Sequence, residues 1–253
     1  MRLLLFIWLI LSPFISFSQD LKHWFPEEFG ESVIPQNKIA LVIGNSDYNQ
    51  DLLDLKNPKN DALLIKETLE SIDFEIIYKN DLTKKQFLDQ LEIIKESQSA
   101  YDFILIYYAG HAIQDDNGNS YIIPIDFDNN SEFSDSAVSI SDILTYIESF
   151  ENKSLVILDA CRDNGNVGLP KPPINDPINT KLAYSTSFGK TASDNEDLNN
   201  TIYTEWLSKL LIVDNLSVYD ILHNTSKIVL KKTNQNQYPT HYFGVNVDDI
   251  KFK

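Results

Sequence analysis

The chain alternates between short apolar runs and longer stretches whose apolar residues recur every three or four positions. Lys38 to Ile43 (KIALVI) is such a run and stops at Gly44, which predicts a buried strand. Phe74 to Tyr78 (FEIIY), Phe103 to Tyr108 (FILIYY), Ser154 to Leu158 (SLVIL) and Leu182 to Ser187 (LAYSTS) predict four more. FILIYY carries only aliphatic and aromatic residues, so it is expected to be covered on both faces. Between the strands lie helical periods. Residues 60–72 place Leu63, Leu64, Leu69 and Ile72 at helical spacing. Thr83 is the expected N-cap of a helix running to Glu96, with Phe87, Leu88, Leu91 and Ile94 on one face. Further helices are expected from Ser139 to Phe150, Thr201 to Val213 and Ser217 to Lys231, and a last strand from His241 to Val247. Asp115 to Ser120 (DDNGNS) reads as the turn of a hairpin.

Strands that alternate with helices of about 12 residues indicate an α/β fold with a parallel sheet covered on both faces. Sites in such sheets form at the carboxyl ends of the strands. His111 lies just past the third strand and Cys161 just past the fourth. The pattern breaks at residues 163–181, where four prolines and two glycines predict a long surface loop. It is also absent from residues 20–37, a lead-in with Trp24, Phe25 and Phe29 among charges and prolines.

The first 18 residues differ from the rest. Met1-Arg2 is a positive start, Leu3 to Phe17 is almost wholly apolar, and Ser16 and Ser18 precede a possible cut before Gln19. This is the pattern of a secretory signal peptide, too short and too broken by Pro13 for a membrane span. The expected organisation is a signal peptide at 1–18, a lead-in at 19–37 and one domain at 38–253, exported and without stable membrane association after signal removal.

Charge narrows the partners. Lys plus Arg number 21 against 37 Asp plus Glu, a net charge of -16. With no run of Lys or Arg, nucleic acid and anionic membranes are excluded as expected partners. A cationic substrate suits the acidity, as does simple solubility. One cysteine excludes an internal disulfide and any zinc site built from several thiolates. After the first strand there is no glycine-rich phosphate loop, only Gly44, which excludes a nucleotide-binding reading.

Two segments carry the candidate chemistry: Tyr107-Tyr108-Ala109-Gly110-His111 and Leu158-Asp159-Ala160-Cys161-Arg162-Asp163. Each is a buried strand ending in a reactive side chain. A thiol attacks a carbonyl at neutral pH only with a lowered pKa or a nearby base, and a His at an adjacent strand end supplies one. An isolated cysteine is otherwise most often a small buried hydrophobe.

From Lys38 to about Phe243 the chain resembles the caspase, metacaspase and bacterial orthocaspase family. The resemblance rests on KIALVIGNSDY (38–48), NDA (60–62), YYAGH (107–111) and LDACRDN (158–164), with weaker matches at AYSTSFGKTASD (183–194) and YTEWL (203–207). His111 and Cys161 are 50 residues apart, the family's spacing. The resemblance implies a caspase–haemoglobinase-like three-layer sandwich with a mostly parallel sheet of about six strands. It also implies a large-subunit-like part (38–163), a linker loop (164–181) and a small-subunit-like part (182–253). The implied activity is that of a cysteine endopeptidase acting on peptides or proteins without cofactor or metal. Cys161 would be the nucleophile and His111 the acid/base, and the backbone N–H groups of Cys161 and Ala112 would form the oxyanion hole. The family usually carries Gly where this chain has Ala112, and a positive φ there would strain an alanine.

Metacaspase-like members cut after Arg or Lys and use acidic pocket residues, which by resemblance are Asp61 and Asp159. Caspases proper prefer Asp and use arginines. Arg2 and Arg162 are the only arginines here, so a pocket of several arginines is impossible. Alternative roles are a charge favoured at a helix N-terminus for Asp61 and a strand-end hydrogen-bond acceptor for Asp159. Lys171 and Lys181 make the 163–181 loop a candidate for cleavage. Some metacaspases respond to calcium, but the turn at Asp115 lacks the spaced ligands of an EF-hand. The competing functions are an inactive scaffold on the same fold and an exported cysteine peptidase of the gingipain type.

Overall fold

The computed structural model describes residues 33–49, 54–115, 119–160, 177–186 and 199–253. The signal segment, most of the lead-in, Cys161, Lys171 and the linker loop up to residue 176 lie outside these.

Strand β1 (Lys38–Gly44) is buried at all seven positions. Helix α1 (Pro58–Glu70) follows, with Pro58 opening it where a missing N–H does no harm. Its interior face is Asp61, Ala62, Ile65 and Leu69. Leu63, expected in the apolar stripe, is 41% exposed, and a carboxylate takes the interior position instead. Strand β2 (Phe74–Asn80) leads to helix α2 (Lys84–Ser97), which starts at the expected Thr83 through a capping box with Gln86.

Strand β3 (Phe103–Gly110) is fully buried, as its sequence predicts. A hairpin of β4 (Ala112–Gln114) and β5 (Ser120–Ile122) lies beyond it, and β6 (Val138–Ser139) extends this small sheet after the single turn α3 (Phe133–Ser136). Helix α4 (Ile140–Glu148), capped by Ser139, precedes β7 (Lys153–Ala160). The remaining elements are β8 (Thr180–Tyr184), α5 (Ile202–Leu211), α6 (Val218–Lys232) and β9 (Thr240–Tyr242).

The main sheet has six strands in the order β2-β1-β3-β7-β8-β9, all parallel except β9. Alternate residues of β1, β3 and β7 feed two separate cores. Val42, Leu105, Tyr107 and Ile157 pack with Ile65 and Leu69 of α1, Leu207 of α5 and Leu222 of α6. Leu41, Ile106, Tyr108 and Leu158 pack with Phe87 and Leu91 of α2 and Leu144 of α4. Each fully buried aliphatic side chain contributes about 1.5–3 kcal/mol. These layers form the expected caspase–haemoglobinase-like α/β sandwich.

Two boundary differences bear on the chemistry. The last strand ends at Tyr242 instead of reaching Val247. Phe243 and Gly244 take positive φ, turning the Phe243 carbonyl onto Lys181 Nζ at 2.7 Å. A Cβ on Gly244 would lie 2.5 Å from the Lys181 amide nitrogen, so only glycine lets the chain pass there. Strand β8 starts earlier than expected and takes in Lys181. That lysine is 3% exposed and paired with Asp248 at 2.8 Å, which removes it as a cleavage site.

Candidate active site

Strands β1, β3 and β7 end together. Gly44 pairs with Ala109, Ala109 with Asp159, and Gly110 with Ala160. His111 and Cys161 are the residues that follow the Gly110–Ala160 pair. His111 is half-buried. The position of Cys161 itself lies outside the described residues.

The peptide groups of His111 are held by two phenols. Its N–H donates to Tyr48 Oη at 2.7 Å, and Tyr108 Oη donates towards its carbonyl at 2.9 Å. The two hydroxyls are 3.3 Å apart. The Tyr48 ring lies 4.6 Å from the imidazole, tilted by 55°. Burial pushes both phenols up, well beyond the range in which they ionise in water. They are therefore neutral donors and acceptors.

Ala112 opens β4 and pairs with Ile122. Its φ is not positive, so the strain expected from replacing glycine does not arise. The Ile123 N–H donates to the His111 carbonyl at 3.0 Å and the Asp115 N–H to the Asn119 carbonyl at 2.9 Å. Hydrogen-bonded and non-bonded pairs alternate in an antiparallel ladder, so the Ala112 N–H faces away from β5. Asp115 also accepts from the Asn119 N–H and side-chain amide.

Asp61 and Asp159 do come together, on the face of the sheet opposite Tyr108. Thr201, the N-cap of α5, joins them. Its N–H donates to Asp61 Oδ1 at 2.9 Å and its hydroxyl to Asp159 Oδ2 at 2.6 Å. Asn200 Nδ2 donates to Asp61 at 3.0 Å, and Thr204 Oγ1 to Asp159 at 2.7 Å. Tyr107 Oη lies 2.6 Å from Thr204 Oγ1. The pair is covered: Asp61 is 1% exposed and Asp159 5%. Desolvation, reinforced by the charge of Asp159, pushes Asp61 up to about 8. Burial thus outweighs the helix N-terminus, which on its own would favour the carboxylate. Asp61 Oδ2 has no hydrogen-bond partner among the described residues.

Tyr48, Thr201, Thr204 and Asn200 were not singled out by sequence reasoning. The signals were present: Tyr48 closes the KIALVIGNSDY stretch, Thr204 lies in YTEWL, and Thr201 begins a helical period.

The fold is an α/β sandwich around a mostly parallel sheet, with the candidate residues at adjacent strand ends. Residues 37–248 match the caspase-domain model of a cysteine peptidase family, so the chain belongs to that family. The crystal structure of the Drosophila initiator caspase Dronc is similar in fold. The TM-score is 0.66 at 15% identity, covering 85% of this chain and 82% of that one. No curated protein sequence matches.

Proposed function

We propose that the protein is a cysteine endopeptidase in which Cys161 attacks the scissile carbonyl and His111 moves the proton. The observation that supports this most is the Gly110–Ala160 pairing, because His111 and Cys161 each follow it directly in the chain. The thiolate adds to the carbonyl carbon, His111 protonates the leaving amine, and the same imidazole then activates the water that releases the acyl group. The N–H of Cys161 and the outward N–H of Ala112 are the proposed donors to the oxyanion. Removing one such donor costs roughly 10²–10³ in rate.

Cleavage after Arg or Lys is proposed from the convergence of Asp61 and Asp159. A guanidinium or ammonium group would stabilise both ionised carboxylates, which otherwise repel one another. The two are covered by Asn200 and Thr201, so an entering side chain must displace part of that cover. Export by the first 18 residues is part of the same proposal, since the segment has the composition of a secretory signal.

Fluorogenic peptides ending in Arg, Lys or Asp, assayed with wild type and Cys161→Ala, test the reading. Arg and Lys peptides are expected to be cleaved only by wild type. No Cys161-dependent cleavage of any peptide would defeat the peptidase assignment, and preference for Asp would defeat the acidic pocket alone.

A further inference from the structure

The bonds around His111 form a closed ring. Its N–H donates to Tyr48 Oη, Tyr48 Oη lies 3.3 Å from Tyr108 Oη, and Tyr108 Oη donates towards the His111 carbonyl. Each phenol has one proton to give. With the His111 N–H entering at Tyr48, a continuous chain runs from Tyr48 to Tyr108 and back to His111. Tyr108 Oη is also 2.9 Å from the Ile123 carbonyl, so it stands between the two chain segments that meet here.

Neither phenol is free to drift. Tyr108 is fully buried within β3 and packs edge-on against Phe87 of α2. Tyr48 is 7% exposed and sits in a loop held at several points. Its N–H donates to Asp54 Oδ1 at 2.9 Å, the next N–H donates to the Ile125 carbonyl at 2.8 Å, and Asp81 accepts from the N–H groups of Ser46 and Asp47. Room for the ring of bonds comes from Gly110. A Cβ there would lie 2.7 Å from Tyr48 Oη and in contact with Tyr108 Oη. The glycine before the histidine is thus required by the two hydroxyls.

We propose that Tyr48 and Tyr108 are positioning residues for His111, fixing its backbone through the hydroxyl chain and its imidazole through the Tyr48 ring. This rests on His111 being the acid/base of the reaction, and it names what aims that group. Positioning errors of about 1 Å at a reacting group cost ~10²-fold in rate. A hydroxyl chain supporting only the fold would affect kcat and KM without a preference for either, and would leave the imidazole unchanged.

The test compares Tyr48→Phe, Tyr108→Phe and the double variant in the full chain. Each single variant is expected to lower kcat roughly 10- to 100-fold with KM within about twofold. The double variant is expected to match the worse single, because the two act as one chain. Tyr48→Leu, which also removes the ring, is expected to fall below Tyr48→Phe. Wild-type kcat in Tyr48→Phe, or losses that multiply in the double variant, would overturn the proposal. A second readout does not need turnover. The His111 ring signals, followed by NMR in a Cys161→Ala background, are expected to shift in Tyr48→Phe. Unchanged signals would overturn the positioning role even if the chain cleaves no peptide, and that latter failure would count only against the peptidase reading.

Discussion

Tyr107 and Tyr108 are neighbours on one strand and serve opposite faces of the sheet. Tyr108 belongs to a neutral ring of bonds around His111, closed by peptide groups. Tyr107 lies in a cluster that ends on charge, with its hydroxyl 2.6 Å from Thr204 Oγ1, which in turn donates to Asp159. The first cluster gives every phenolic proton a partner. The second holds two carboxyl groups in one buried space, one of them pushed up to about 8 by burial and by its neighbour. A satisfied neutral network holds a group still, whereas two carboxyl groups sharing one buried space gain from a cation.

The largest expected difference between the two is in stability. Asp159→Ala leaves the Thr201 and Thr204 hydroxyls without their charged acceptor and is expected to cost roughly 3 kcal/mol. Tyr108→Phe removes neutral bonds and is expected to cost about 1 kcal/mol. Urea unfolding measures both, and equal losses would erase the distinction between the clusters.

Gly110→Ala is expected to cost about 2 kcal/mol, because the added methyl must push aside two buried hydroxyls. The damage should stay on the Tyr108 face. The proposed preference for Arg and Lys over Asp peptides is expected to hold, and its loss would show that the faces are coupled.

The last contrast is in pH dependence. In the unfolded chain Asp61 ionises near 3.8, whereas in the fold it keeps its proton up to about 8. Between those values the unfolded state binds fewer protons, so stability falls as pH rises across this window. Asp61→Asn removes that loss. Its gain over wild type is expected to be absent at pH 4 and to exceed about 1 kcal/mol at pH 8. Tyr108→Phe should show a flat difference over the same range. A flat Asp61→Asn difference would mean that the carboxyl is not held neutral.

Most of the architecture was legible because it follows from local periodicity. The five parallel strands read as apolar runs, Thr83 caps its helix as expected, and Ser139, Thr201 and Ser217 prove to cap the helices expected to start there. The misreadings are equally local. Leu63 fits a helical stripe by spacing, but the position facing the sheet belongs to Asp61. The end of β9 depends on Phe243 and Gly244 meeting Lys181, 60 or more residues away along the chain, which no window of sequence contains.

The sequence by itself determined the α/β class, the candidate pair His111 and Cys161, and the acidic identity of Asp61 and Asp159. These follow from residue type, period and motif. Only the tertiary structure decided that Tyr48 reaches His111 and that Thr201 bridges the two carboxyl groups. Hydrogen bonds of this kind have no period, and their partners are 63 and 140 positions apart. Nor could residue type alone raise Asp61, since that shift comes from the water that the folded layers exclude.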